Sequence, residues 1–307
     1  VALEEVKGAK NGEESMRWFD RVVEKIEDSD ALDEPSERVS GIADKVIGAP
    51  LVRDALSGTW LGHPLHPLLV TVPIGAWVSA SVLDVTKGSE EAARRLIGLG
   101  ILAAVPTAAA GASDWRYTSG RERRVGLVHS LANQVGLALY GASWLARGRN
   151  RNAVGVLLAL GGAGAVSVGG YLGGHLTYAR GVGVDTTAFT TGPKDWTRVA
   201  TLSDLTKDAM IERNVDGVSV LVTRVGGEVV ALANRCSHRG GPLNEGTRED
   251  DCVRCPWHQS AFSLVDGEVR EGPATRPQDT YEVRVAGKDI EIRSARTADL
   301  QSEPVGS

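Results

Sequence analysis

Cys236-x-His238 and, after sixteen intervening residues, Cys255-x2-His258 each pair a thiol with an imidazole. Each loop offers one thiolate and one imidazole. That interleaving suits two irons bridged by sulfide, one held by two cysteines and the other by two histidines. A single zinc bound by all four side chains is the alternative. Neutral imidazoles in place of two thiolates make a cluster less negative and easier to reduce, and they let proton gain accompany electron gain. The third cysteine, Cys252, reads as an ordinary strand thiol. Three cysteines cannot build a disulfide framework, so a reducing compartment is expected.

Short strands must position these loops. SVLVTRV and EVVALAN flank Gly226-Gly227, and TYEVRV and DIEIR flank Ala286-Gly287-Lys288, each a hairpin signal. These patterns predict a small antiparallel all-β domain over 196–294, with a tail at 295–307. In CSHRGGPLNEG (236–246), CPWHQSAFSLVDGEV (255–269) and Gly272-Pro273-Ala274, the domain resembles the Rieske [2Fe-2S] family. The resemblance implies a [2Fe-2S] cluster with Cys236 and Cys255 on one iron and His238 and His258 on the other, nearest solvent. It also implies a proline loop at 272–274 over the cluster.

Rieske proteins of the respiratory cytochrome bc complexes join their cluster loops by a disulfide; here Gly241 and Trp257 occupy those places. The likeness is therefore to the ferredoxin-like branch, with a potential toward the lower part of the Rieske range. Ser260 matches the serine that bonds a bridging sulfide in the high-potential branch, Phe262 lacks the tyrosine hydroxyl found there, and Gln259 stands where the family usually has Gly. Rieske oxygenases add a domain with two histidines and a carboxylate on a mononuclear iron. With no histidine after His258, this chain is not expected to be an oxygenase on its own.

Ahead of the β domain, four apolar segments at about 65–86, 95–113, 125–146 and 153–176 each approach the roughly 20 residues a membrane helix needs. They predict a four-helix transmembrane domain over 61–180. The fold class is thus multidomain α plus β: a four-helix transmembrane bundle followed by the β domain. Gly161, Ala165, Gly169 and Gly173 fall on one stripe of the fourth segment, a pattern that lets helices approach closely. Residues 181–195 read as a polar linker. Residues 1–60 read as an amphipathic helical region, with Met16, Phe19, Val22, Val23 and Ile26 on one face.

The other four histidines lie at or in the spans: His63, His66, His129 and His175. Four spans would bring all four to the face that carries the β domain. Each imidazole could simply bond a backbone carbonyl. Gathered by topology, they also form a candidate haem b or quinone site, with Asp114, Asn133 and Gln134 as supporting groups. GHPLHPLLVTVPIGAW, with Leu83-Asp84, resembles an uncharacterised family of four-helix membrane domains (domain of unknown function 2231) over about 50–180. That likeness supports topology rather than chemistry.

Residues 1–60 carry 8 Lys/Arg against 14 Asp/Glu, 61–180 carry 11 against 5, and the formal net charge is -5. This balance gives no reason to expect a nucleic-acid or anionic-lipid binder. The acidic, signal-free start places the N-terminus and the Rieske domain on the cytoplasmic side of the inner membrane, although loop charge alone favours the opposite side. The expected function is a membrane-anchored electron carrier passing single electrons between a cytoplasmic redox partner or reductase and the histidine-rich site. The alternative is a membrane-tethered redox sensor whose spans are only an anchor. Membrane lipid is an expected partner, and a homo-oligomer stays open.

Overall fold

A computed structural model describes residues 18–295 except Lys87 and Lys207. Met16, the start of the amphipathic stretch and all of the tail beyond 295 lie outside the described residues. The helices are α1 (Trp18–Glu27), α2 (Asp33–Ile47), α3 (Pro50–Ser57), α4 (Leu65–Leu69), α5 (Thr71–Leu83), α6 (Glu90–Trp115), α7 (Gly120–Arg147) and α8 (Asn152–Tyr178). The strands follow: β1 (Thr197–Thr201), β2 (Ile211–Val215), β3 (Val218–Val225), β4 (Glu228–Ala233), β5 (Thr247–Glu249), β6 (Cys252–Arg254), β7 (Ala261–Ser263), β8 (Val269–Glu271), β9 (Tyr281–Ala286) and β10 (Asp289–Ser294). One compact unit contains the described residues up to Val46 with Leu69–Val182. The other joins Ile47–Leu68 to the described residues from Gly183 onward.

In the helical unit, α7 and α8 pack against each other along their length. The side of α8 that meets α7 is lined by small residues: a Cβ on Gly155 would strike Arg147, on Gly162 the ring of Tyr140, and on Gly169 the amide of Asn133. Gly169 and Gly173 of the expected stripe lie on this face. Gly161 stands off it, in ordinary contact with Leu139. A core of Trp77, Ala80, Ala93, Ile97, Tyr140 and Ala159 joins α5 and α6 to the pair, with Trp77 stacked on Tyr140 at 4.2 Å between centroids.

Among the described residues, three helical stretches are long and apolar enough to cross a membrane: Leu65–Leu83, Glu90–Trp115 and Asn152–Tyr178. Three of the four expected spans meet that measure. Helix α7, the expected third span, has 28 residues, but His129, Ser130, Asn133 and Gln134 dilute its apolar run.

In the second unit the sheets run β1-β10-β9, β2-β3-β4 and β5-β6-β7-β8. All pairings within them are antiparallel. Gly226 and Gly227 adopt φ of 59° and 94° between β3 and β4, the left-handed values a tight two-residue hairpin needs. Val220, Val222, Ile290 and Ile292 fill one core, and Leu221, Leu232, Leu243, Val253, Phe262 and Leu264 fill another. The second core also contains Cys236 and Cys255.

Candidate metal centre

The first ligand loop leaves β4 and the second joins β6 to β7. Each folds as a tight turn closed by its own backbone. Cys236 N–H donates to Gly241 O at 2.9 Å and Gly240 N–H to Cys236 O at 2.7 Å; Cys255 N–H donates to Ser260 O at 2.8 Å and Gln259 N–H to Cys255 O at 3.1 Å. These turns aim amides at sulfur. The N–H groups of His238 and Arg239 point at the Cys236 thiol, and those of Trp257 and His258 at the Cys255 thiol. Amides directed at sulfur favour the thiolate, the form that binds metal.

Both cysteines are 1% exposed, whereas both histidines are half-buried. The sulfurs thus face the core and the imidazoles face outward. The two thiols share a hydrogen bond that holds Cys255 down to about 6 and pushes Cys236 up. Burial takes His238 down to about 3 and His258 to about 4, so both rings are neutral at physiological pH. The rings stand edge to face with centroids 5.1 Å apart. Two thiols at one end and two imidazoles at the other fit a two-iron group better than a single zinc.

Gly241 leaves the space this pairing requires, because a Cβ there would lie 2.9 Å from Cys255 Sγ and 3.1 Å from the Trp257 ring. Trp257 itself is 57% exposed beside His258. Gln259 has a φ of 65°, a conformation that favours glycine. Fully buried Ser260 accepts Ala274 N–H through Oγ at 2.9 Å, tying the second ligand loop to the segment Gly272-Pro273-Ala274. Phe262 is an entirely buried part of the core behind the cysteines.

Sequence reasoning missed two supports. Thr186, in the expected linker, bonds Cys236 O through Oγ1 at 2.9 Å and Ser237 O through its N–H at 3.1 Å. Arg53, Asp54 and Thr59 reach residues 271–274, as described below. Neither segment has a periodic pattern or ligand spacing that would mark it.

The four remaining histidines are divided between the units. His63 and His66 belong to the β-containing unit, His129 and His175 to the helical one. His129 Nδ1 lies 2.7 Å from Gly169 O, and the amide of Asn133 is 3.4 Å from Nε2. His175 Nε2 lies 2.8 Å from Glu27 Oε1, a carboxylate also held by Arg180. Gln134 bonds Ser130 on its own helix at 2.9 Å.

Comparison with known proteins follows the same division. Residues 195–282 match the family model of the Rieske [2Fe-2S] domain, and residues 62–186 that of a predicted membrane protein family, DUF2231. The chain is 31% identical over 98 residues to the anthranilate 1,2-dioxygenase ferredoxin subunit of Burkholderia cepacia, covering 32% of this chain and 91% of that protein. It is 45% identical over 74 residues to the 3-phenylpropionate/cinnamic acid dioxygenase ferredoxin subunit of Shigella boydii serotype 4 (strain Sb227), covering 24% and 70%. Among solved structures, the ferredoxin of carbazole 1,9a-dioxygenase from Nocardioides aromaticivorans IC177 aligns at 32% identity and TM-score 0.32, over 33% of this chain and 99% of that one.

Proposed function

This chain belongs to the Rieske [2Fe-2S] family and carries the DUF2231 membrane domain in the same polypeptide, and from that premise we propose that it is a membrane-anchored, ferredoxin-like electron carrier. The observation that carries the reading is the polarity of the two ligand loops. Cys236 and Cys255 would hold the inner iron and His238 and His258 the outer one. The cluster supplies a one-electron couple when bound. Around it, amide N–H groups steady the sulfurs, and the neutral, half-buried imidazoles form the edge nearest solvent, where a partner can approach.

Two of the relatives are ferredoxin subunits of dioxygenases, which supports a protein as the exchange partner here: a reductase on one side and a terminal oxidoreductase on the other. Haem or quinone at His129 and His175 would have to displace Gly169 O, the Asn133 amide or the Glu27 carboxylate. Those bonds favour a packing role for both histidines. We place the chain in the inner membrane with the Rieske domain cytoplasmic, in keeping with the acidic composition of residues 1–60.

The test is low-temperature EPR of the reduced, detergent-purified chain, with iron analysis and a pyridine haemochrome assay on the same sample. A Rieske signal with about two irons per chain and no haem is expected. A zinc-bound, EPR-silent protein would overturn the reading, and stoichiometric haem would overturn the packing role of the membrane histidines.

A further inference from the structure

Helix α3 and the turn after it lie in the same compact unit as the β domain, more than 200 positions earlier in sequence than the residues they touch. Pro50 begins α3, where its missing N–H has no helical partner to lose, and Gly58 ends it in the left-handed conformation with φ of 82°. A Cβ on Gly58 would meet His63 O at 2.2 Å, so the chain doubles back tightly there. This short element makes a row of contacts with the segment that Ser260 ties to the second ligand loop.

Arg53 is 7% exposed. Its Nη2 donates to Glu271 Oε1 at 2.8 Å and its Nε to Asp54 Oδ1 at 2.8 Å. Asp54 Oδ1 accepts the N–H of Gly272 at 3.1 Å, and Thr59 Oγ1 donates to Ala274 O at 3.2 Å. Ala274 is thus gripped from both sides, its carbonyl by Thr59 and its N–H by Ser260 of the second ligand loop. The other oxygen of Glu271 accepts from Arg254 at 2.6 Å, and Arg254 also donates to Gln259 O, next to His258. A Cβ on Gly272 would lie 2.3 Å from Thr59 Oγ1 and 2.9 Å from Asp54 Oδ1, so the fit leaves no room for a side chain.

We propose that residues 50–61 form a built-in clamp on the 271–274 loop, with Asp54 and Thr59 as positioning residues that hold this loop against the second ligand loop and so help set the reduction potential of the cluster those ligands would bind. The proposal rests on the cluster reading above. A buried arginine shared by two carboxylates and an acidic cap on a backbone amide hold geometry more firmly than the same groups do in water. When the loop loosens, water reaches the cluster more easily. Because the reduced form carries one more negative charge, that access raises the potential.

The test uses the full-length protein in detergent and two readouts: hydrogen exchange at the Gly272 amide, followed in loaded and metal-free samples, and the potential from an EPR-monitored titration. Asp54→Ala is expected to speed exchange at Gly272 by roughly tenfold, the effect of losing one charge-assisted bond. Thr59→Val, which changes no charge, is expected to raise the potential while keeping the Rieske signal. Gly272→Ala, which pushes the clamp away without removing any of its groups, should reproduce both effects. Faster exchange with an unmoved potential would overturn the positioning role, and unchanged exchange in Asp54→Ala and Gly272→Ala would overturn the clamp itself. A wild-type protein with no Rieske signal would instead refute the cluster reading, while exchange would still decide whether the clamp exists.

Discussion

Arg147 and Asp84 meet in a buried two-point ion pair, Nη1 to Oδ1 and Nη2 to Oδ2, both at 2.7 Å. The arginine side chain is 1% exposed and the aspartate 8%, with Ser143 Oγ completing the guanidinium's contacts at 3.2 Å. The pair joins the end of α5 to the end of α7. It gives a structural role to the Leu83-Asp84 dipeptide noticed in the sequence. Removing one partner strands the other charge, so Asp84→Ala should cost about 3–5 kcal/mol. Replacing both with apolar residues of similar size should recover most of that loss. Thermal unfolding of the single and double variants in the same detergent checks the sign of both effects.

At the metal centre, Cys236→Ser or His258→Ala should abolish the Rieske signal and lower bound iron. Cys252→Ser should leave both unchanged, since Cys252 lies on β6 against Asp251, apart from the ligand loops. Parallel EPR and iron analysis of the three variants separates ligands from bystander.

Gln259 holds a left-handed conformation, and its side chain donates to Cys255 O at 3.3 Å. Gln259→Gly should stabilise the domain by about 0.5–1 kcal/mol, the steric relief exceeding the extra freedom glycine brings to the unfolded chain. Denaturant unfolding of the loaded protein would show a higher midpoint with an unchanged cluster spectrum.

Glu27 anchors α1 to the end of α8. Burial alone would raise its pKa, but bonds to Arg180 and His175 outweigh that and hold it below the ordinary 4.5. A carboxylate depressed by folding contributes stability above its unfolded pKa and loses it as pH falls through the lower folded value. The advantage of the wild-type protein over Glu27→Gln should therefore be present at neutral pH and shrink as pH falls below 4.5. Melting temperatures of the two proteins across that range test it. A gap that widened in acid would contradict the anchoring role.

The four ligand-type residues, the hairpins around Gly226-Gly227 and Gly287, and the apolar character of α5, α6 and α8 were all legible in the amino-acid sequence. The reason is that each is a local property. Ligand spacing within one turn, glycine at positive φ and a run of apolar residues are written in neighbouring positions. Tertiary structure decided what joins distant positions: Arg53 to Glu271, Glu27 to His175 and Asp84 to Arg147, separated by 218, 148 and 63 residues. Any of the chain's many arginines and carboxylates can pair in principle, and only folding selects which do. The same holds for α7. Its length suggested a span, but the polar residues His129 and Asn133 acquired their meaning from the glycine face of α8 that they pack against.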